Sequence, residues 1–203
     1  MAIKAVVFDL FDTLIYLEQN SRAYIRMLKD AGLSKDFVMA GLTIALTEDD
    51  DVDALVKKLG ISIDPAPYVE QIEEDVKTAT FFPDTVSVLG QLRQQGYKLG
   101  VISNISRLYK AAYNNLGLSN MVDDYVFSCE EQLLKPEAEI YEVMSLRLGV
   151  EPENCLMIGD NFENDVRGPW AAGMQSLLLD REERSSFPES IQGLDGVLTY
   201  LNK

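Results

Sequence analysis

Hydrophobic positions in this chain follow two rhythms, and the change between them divides it. Ala5 to Phe8 is an unbroken apolar run with two adjacent valines, the pattern of a short strand buried on both faces of a parallel sheet. Beyond Leu14, until about residue 81, apolar residues recur at helical spacing instead. A first helix carries Tyr24, Ile25 and Leu28 on one face, with Asn20 or Ser21 as its cap and Gly32 as its stop. Ser34 caps a second, running through Phe37 and Leu42 to Leu46. A third starts near Asp51, turns Val52, Leu55, Val56 and Leu59 inward and stops at Gly60; the acidic run Glu48 to Asp51 suits its N-terminus. Pro65 and Pro67 then introduce a fourth, Tyr68 to Lys77, with Val69, Ile72 and Val76 inward.

From Pro83 the pattern becomes a regular alternation. A helix opened by Pro83 and Asp84 bears Val88, Leu89 and Leu92, ends at Gly96, and is followed by a buried strand over Lys98 to Ser103. Arg107 to Leu116 is helical, Tyr125 to Ser128 a short strand, and Glu137 to Leu148 a helix with Ile140, Tyr141, Met144 and Leu148 on its apolar face. Cys155 to Gly159 and Gln175 to Leu179 are further strands, separated by a helix over Glu163 to Ala172, and Gly193 to Leu201 closes the chain as a helix. Strands separated by helices imply right-handed crossovers and a parallel sheet. The expected fold is therefore α/β, a parallel core from residues 1–15 and 82–203 interrupted after its first strand by a mostly helical segment, 16–81.

Composition narrows the function. Lys and Arg number 18 against 33 Asp and Glu, a formal charge of −15, which argues against a sequence-independent grip on nucleic acid or on an anionic membrane. The absence of histidine removes Ser-His and Cys-His catalysis as well as histidine-ligated zinc. Cys129 and Cys155 each lie in or beside an apolar run, as reduced buried thiols would. With no apolar run long enough to span a bilayer and no signal-peptide pattern at the N-terminus, a cytoplasmic protein is expected.

Polar residues stand at or just beyond the strand ends, where open α/β sheets bind their ligands, or in a loop following one: Asp9, Ser103 with Asn104, Lys135, and Asp160 with Asp165. Alone, Asp9 is equally a turn-opening residue, and Glu163 and Asp165 suit a first helical turn capped by Asn161. In the loop Gly159 to Asp165, however, two carboxylates five residues apart straddle a strand-to-helix turn, so both can approach one ion. A hard ion that keeps several waters needs only a couple of carboxylates, which makes Mg2+ the natural candidate.

The ordered set FDLFDTL, VISN, LKP and GDNFEND, with a helical insert between the first and second, resembles the haloacid dehalogenase superfamily of Asp-nucleophile phosphohydrolases over essentially the whole chain. That resemblance implies a Rossmann-like core with a helical cap, and a small phosphorylated metabolite as substrate. It makes Asp9 the nucleophile that becomes an aspartyl phosphate, Ser103 a hydrogen-bond donor to the phosphoryl group, and Lys135 the cation that neutralises phosphate. It assigns Mg2+ to Asp9, Asp160, Asp165 and the backbone carbonyl of Phe11. Asn104 and Arg107, directly after Ser103, stand where they could contact substrate.

One position departs from the family pattern. Phosphatases of the family carry a second Asp two residues after the nucleophile, as acid for the leaving oxygen, and here that residue is Phe11. Asp12 follows, and on an extended segment its side chain would point the other way and make turn hydrogen bonds. Three readings remain open at this point: a phosphatase without that acid, a 2-haloacid dehalogenase, whose halide leaves without a proton, and a catalytically impaired binding protein. The paired acids Asp160 and Asp165 favour the first over the second.

Overall fold

The structure, a computed structural model, describes residues 2–202. Strand β1 (Ala5–Phe8) leads into β2 (Ile15–Leu17), four helices α1 (Ala23–Asp30), α2 (Lys35–Thr47), α3 (Val52–Leu59) and α4 (Ala66–Lys77), and β3 (Ala79–Phe81). Then come α5 (Thr85–Gln94), β4 (Lys98–Ser103), α6 (Lys110–Asn115), β5 (Asp124–Phe127), α7 (Ser128–Glu131) and α8 (Ala138–Leu148). The chain ends with β6 (Cys155–Gly159), α9 (Gly168–Ala171), β7 (Gln175–Leu179), β8 (Ser190–Ile191) and α10 (Asp195–Leu201). The main sheet has the order β5-β4-β1-β6-β7-β8 and its pairs are parallel. The expected α/β core with a helical insert after the first strand is the observed architecture.

Alternation along β1 sorts side chains to two faces. Val6 and Phe8 join Leu99, Val101, Leu156 and Ile158 in one core cluster, which α5 and α10 complete with Val88, Leu92 and Val197. Ala5 and Val7 face the other way with Ile102, Cys155 and Met157, beneath Ile140, Tyr141 and Met144 of α8. Both faces are covered, so the strands read as continuous apolar runs. Gly100 is required by this closeness: a Cβ there would meet the Met144 sulfur at 2.5 Å.

Several local expectations are corrected. Helix α1 is capped by neither Asn20 nor Ser21; its N-cap is Arg22, in the left-handed region at φ 53° and without a capping hydrogen bond. The reason is long-range, since Ser21 gives its backbone N–H and its hydroxyl to the buried carboxylate of Asp75 on α4. Ser34 occupies the N-cap of α2 without a side-chain bond, whereas Asp51 caps α3 by accepting from the Ala54 N–H at 2.8 Å. Of the acidic run only Asp51 acts as a cap: Glu48 and Asp50 pair with Lys58, and Asp49 takes Lys110 and Arg107. The helix expected over residues 163–172 is split into a π-helical stretch, Phe162–Arg167, and α9, because Pro169 carries no N–H for a continuous ladder. The expected strand end at Ser128 moves to Phe127, and Ser128 starts α7 with its hydroxyl accepting from Ile105 N at 2.9 Å.

The helical insert is tied off by a two-stranded antiparallel ribbon, with Ile15 opposite Phe81 and Leu17 opposite Ala79. It rests on the core through α2 against α7 and through α4 against the segment that follows β4. Among the described residues, no helix is long and apolar enough to cross a membrane.

Candidate active site

The site follows from strand order. β1 lies between β4 and β6, with Phe8 level with Val101 and Ile158, so the chain leaves the sheet at Asp9, Ser103 and Asp160 side by side. Asp9 extends the ladder by one bond, its N–H donating to Ile158 O at 2.9 Å. The following loop brings Asp165 back under Gly159, where a Cβ would overlap the Asp165 carboxylate; only glycine allows the approach. Asn161 secures the turn by accepting from Asn164 N at 3.0 Å, while its own N–H donates to Asp165 Oδ2 at 3.0 Å.

Lys135 lies at the centre of the cluster. Its ammonium donates to Asp9 Oδ1 and to Asp165 Oδ1, each at 2.7 Å, and its side chain is 2% exposed. Carboxylate oxygens of Asp9, Asp160 and Asp165 all lie within 4.8 Å of one another, so the condition for sharing one ion or its waters is met. Three carboxylates against one ammonium leave two negative charges uncompensated in a largely buried cluster. That excess, with an all-oxygen donor set and Asp160 open to solvent, fits a divalent hard cation such as Mg2+.

Burial pushes the Asp9 carboxyl up to about 7; Lys135 opposes the rise, and Asp165 and Asp160 add to it. Asp160 is pushed up to about 6, first by partial burial and then by Asp165 and Asp12. Burial alone would pull Lys135 down, yet Asp165 and Asp9 outweigh it and hold the ammonium charged well above its ordinary range. In the unfolded chain these acids ionise near pH ~4. Between that pH and about 7 the metal-free fold keeps protons that the unfolded chain has released, so its stability falls as pH rises through this window. In EDTA, the melting temperature is expected to rise as the pH is lowered from about 7.5 to about 5.5, and Asp160→Asn should flatten that rise. Calorimetry at constant ionic strength checks both; an unchanged slope in the variant would mean that Asp160 does not carry it.

The structure brings together only some of the remaining candidates. Ser103, 2% exposed at the end of β4, makes no side-chain hydrogen bond among the described residues. Asn104 is committed to Lys135: its amide donates to Lys135 O at 2.9 Å and its carbonyl accepts from Lys135 N at 2.8 Å, so it holds the lysine loop in place. Arg107 is turned to the helical insert, donating to Asp49 O at 2.7 Å. Phe11 lines the cavity against the insert and meets Tyr109 edge-on, ring centroids 6.0 Å apart. The chain is not extended at Asp12, where φ is 60°, and the expected turn bond comes from the Asp12 backbone, whose N–H donates to Ile15 O at 2.8 Å. The Asp12 carboxylate makes no hydrogen bond among the described residues. It borders both a cavity against the insert and a larger one beside Asp160.

Two further residues shape the site without a sequence signal. Tyr109 lines the cavity and donates its hydroxyl to Asp75 Oδ2 at 2.7 Å, joining core to insert. Arg181 pairs with both oxygens of Asp84 at 3.0 Å, donates to Thr13 O at 3.1 Å and stacks over Phe82, pinning the loop after β7 to the turn that follows Asp9.

A family model for haloacid dehalogenase-like hydrolases matches residues 3–173. The chain is therefore a member of the haloacid dehalogenase-like hydrolase family. It is 31% identical over 197 residues to a glyceraldehyde 3-phosphate phosphatase of Methanopyrus kandleri, covering 88% of this chain and 84% of that protein. Among solved structures, a HAD phosphatase from Thermococcus onnurineus superposes with TM-score 0.72 at 26% identity, over 98% of each chain. A 2-haloacid dehalogenase from Pseudomonas syringae has TM-score 0.69 at 20% identity over 98% of each chain, a likeness of fold alone.

Proposed function

We propose that this protein is a Mg2+-dependent phosphohydrolase that cleaves a small phosphate monoester through an aspartyl phosphate on Asp9. The observation that carries this reading is the cluster itself: Asp9 and Asp160 at the ends of adjacent strands, with Asp165 and Lys135 brought to them by the segments after β6 and α7. A carboxylate cannot approach a phosphate dianion unless nearby positive charge cancels the repulsion. Lys135 provides one such charge. It also holds Asp9 Oδ1, leaving the other oxygen, which accepts no bond among the described residues, free to attack phosphorus. The Asp9–phosphorus bond forms as the bond to the leaving oxygen breaks, and the Ser103 hydroxyl donates to a phosphoryl oxygen. Water then attacks phosphorus, releasing inorganic phosphate and restoring the carboxylate.

Mg2+, held by Asp9, Asp160, Asp165 and the Phe11 carbonyl, would supply the remaining charge at the phosphoryl oxygens. Asn104 keeps Lys135 in register through its backbone. The glyceraldehyde 3-phosphate phosphatase relative supports monoester hydrolysis as the reaction class. Phosphate release from phenyl phosphate should require Mg2+, cease in EDTA, and be lost in Asp160→Asn. Chloride release from 2-chloropropionate that survives EDTA would instead establish dehalogenation, and neither activity would establish a binding protein.

A further inference from the structure

Under the helical insert lies a cavity of about 240 Å3, bordered on the core side by Phe11, Asp12 and Asn104, the sequence neighbours of Asp9 and Ser103, and roofed by Leu42 and Leu46 of α2; the clustered acids and Lys135 do not line it. It is just below the usual ~300–1,000 Å3 of small-ligand pockets, so it has room for a body of one or two rings. Phe11, Tyr109 and Tyr24 form a connected aromatic wall, with Tyr24 and Tyr109 centroids 6.4 Å apart. Two polar groups that would otherwise suit a sugar are already engaged, the Tyr109 hydroxyl by Asp75 and the Asn104 amide by the Lys135 backbone. What these two side chains present to the cavity is therefore mostly ring and carbon. The polar side chains without such partners are Asp12, Asn20 and Arg22, exposed residues at the rim, and the Tyr24 hydroxyl, which is buried.

Phe11 adds an independent constraint. It lines the cavity two residues after the nucleophile Asp9, and a phenylalanine has no proton to give. With phenylalanine there and the Asp12 carboxylate exposed at the rim, the site suits a leaving group that departs as a stable anion, and the wall suits one that stacks on aromatic rings. We infer that the substrate is an aryl phosphate, or a phosphate ester whose leaving oxygen is comparably weak as a base and sits on a flat apolar body. This specifies the leaving group of the phosphatase reading above and rests on that reading.

Four substrates separate the two constraints in steady-state phosphate release: phenyl phosphate, 2-phenylethyl phosphate, acetyl phosphate and glyceraldehyde 3-phosphate. The ring-bearing pair should have KM values roughly tenfold below their ring-free counterparts, the effect of modest apolar burial. Phenyl phosphate should exceed 2-phenylethyl phosphate in kcat by on the order of 10², the deficit expected where no acid assists departure. Leu46 borders the cavity and joins neither core cluster, so Leu46→Gln tests the roof without opening the core. That variant should reduce the ratio of kcat/KM for phenyl over acetyl phosphate roughly fivefold.

A binding measurement removes dependence on turnover. By calorimetry, phenylphosphonate should bind roughly tenfold more tightly than methylphosphonate in Mg2+. Glyceraldehyde 3-phosphate used as efficiently as phenyl phosphate would overturn the inference and leave the phosphatase reading intact. Equal affinity for the two phosphonates would also overturn it. If no substrate is turned over, the phosphatase reading fails, and the phosphonate pair still decides what the cavity accepts.

Discussion

Asp9→Asn is expected to lower kcat toward any phosphate monoester by on the order of 10⁴ or more, without lowering the melting temperature of the metal-free protein at pH 8. The two halves of this expectation come from the same geometry. Asn has the shape of Asp and can still accept the hydrogen bond from Lys135, so that ammonium keeps both its neighbours. What disappears is the carboxylate oxygen free to form a bond to phosphorus. Asp165 cannot substitute, because its oxygens already accept from Lys135 and from the Asn161 N–H. The stability expectation follows from burial, which raises Asp9 to about 7 and makes its ionised form unfavourable in the metal-free fold above that pH. A neutral amide removes that cost. Phosphate release and thermal unfolding, measured on one preparation, check both. Activity retained above about one per cent would move the nucleophile to another residue.

Much of the core was legible because its strands are buried on both faces. The runs Lys98 to Ser103, Cys155 to Gly159 and Gln175 to Leu179 coincide with β4, β6 and β7. A two-sided environment admits few polar residues, so each strand ends where polarity begins. The ribbon of β2 and β3 was not legible. Each strand has three residues, each pairs with a segment more than sixty positions away, and neither shows an alternation long enough to read. The expectation for α1 failed for the same kind of reason: Ser21 has the chemistry of a cap, but the buried Asp75, 54 residues on, uses its donors.

The site divides along a similar line. Asp9, Lys135, Asp160 and Asp165 stand in local motifs; strand order brings Asp9 and Asp160 together, while the loop after α7, held by Asn104, and the turn after β6 add Lys135 and Asp165. Asn104 and Arg107 are near neighbours in sequence with different fates. Asn104 folds back onto the backbone of Lys135, whereas Arg107 reaches out to Asp49, and no local pattern distinguishes the two. At Asp12 the alternation of side chains failed because it presumes an extended backbone. A left-handed φ of 60° turns the carboxylate to border the space beside Asp160 as well as the cavity under the insert.

Phe11→Asp is expected to raise kcat for glyceraldehyde 3-phosphate by on the order of 10², near the lower end of what general acid catalysis supplies, while changing kcat for phenyl phosphate by less than about threefold. An alkoxide leaves with difficulty unless it is protonated as the bond breaks, whereas a phenolate leaves unaided, so a new acid helps the first and hardly touches the second. Position 11 suits the test because its side chain already lines the cavity, at the edge of Tyr109. The cost of the substitution should appear in KM for phenyl phosphate, since one ring of the aromatic wall is gone. Asp12→Asn supplies the opposing arm. Asp12 borders the same cavity with an unengaged carboxylate, and if it already serves as the acid, the unmodified protein should hydrolyse glyceraldehyde 3-phosphate at a rate near the ~10 per second typical of enzymes. In that case Asp12→Asn should abolish the activity and Phe11→Asp should add nothing. A large gain from Phe11→Asp with little loss from Asp12→Asn would instead identify the phenylalanine as the cause of the missing proton transfer.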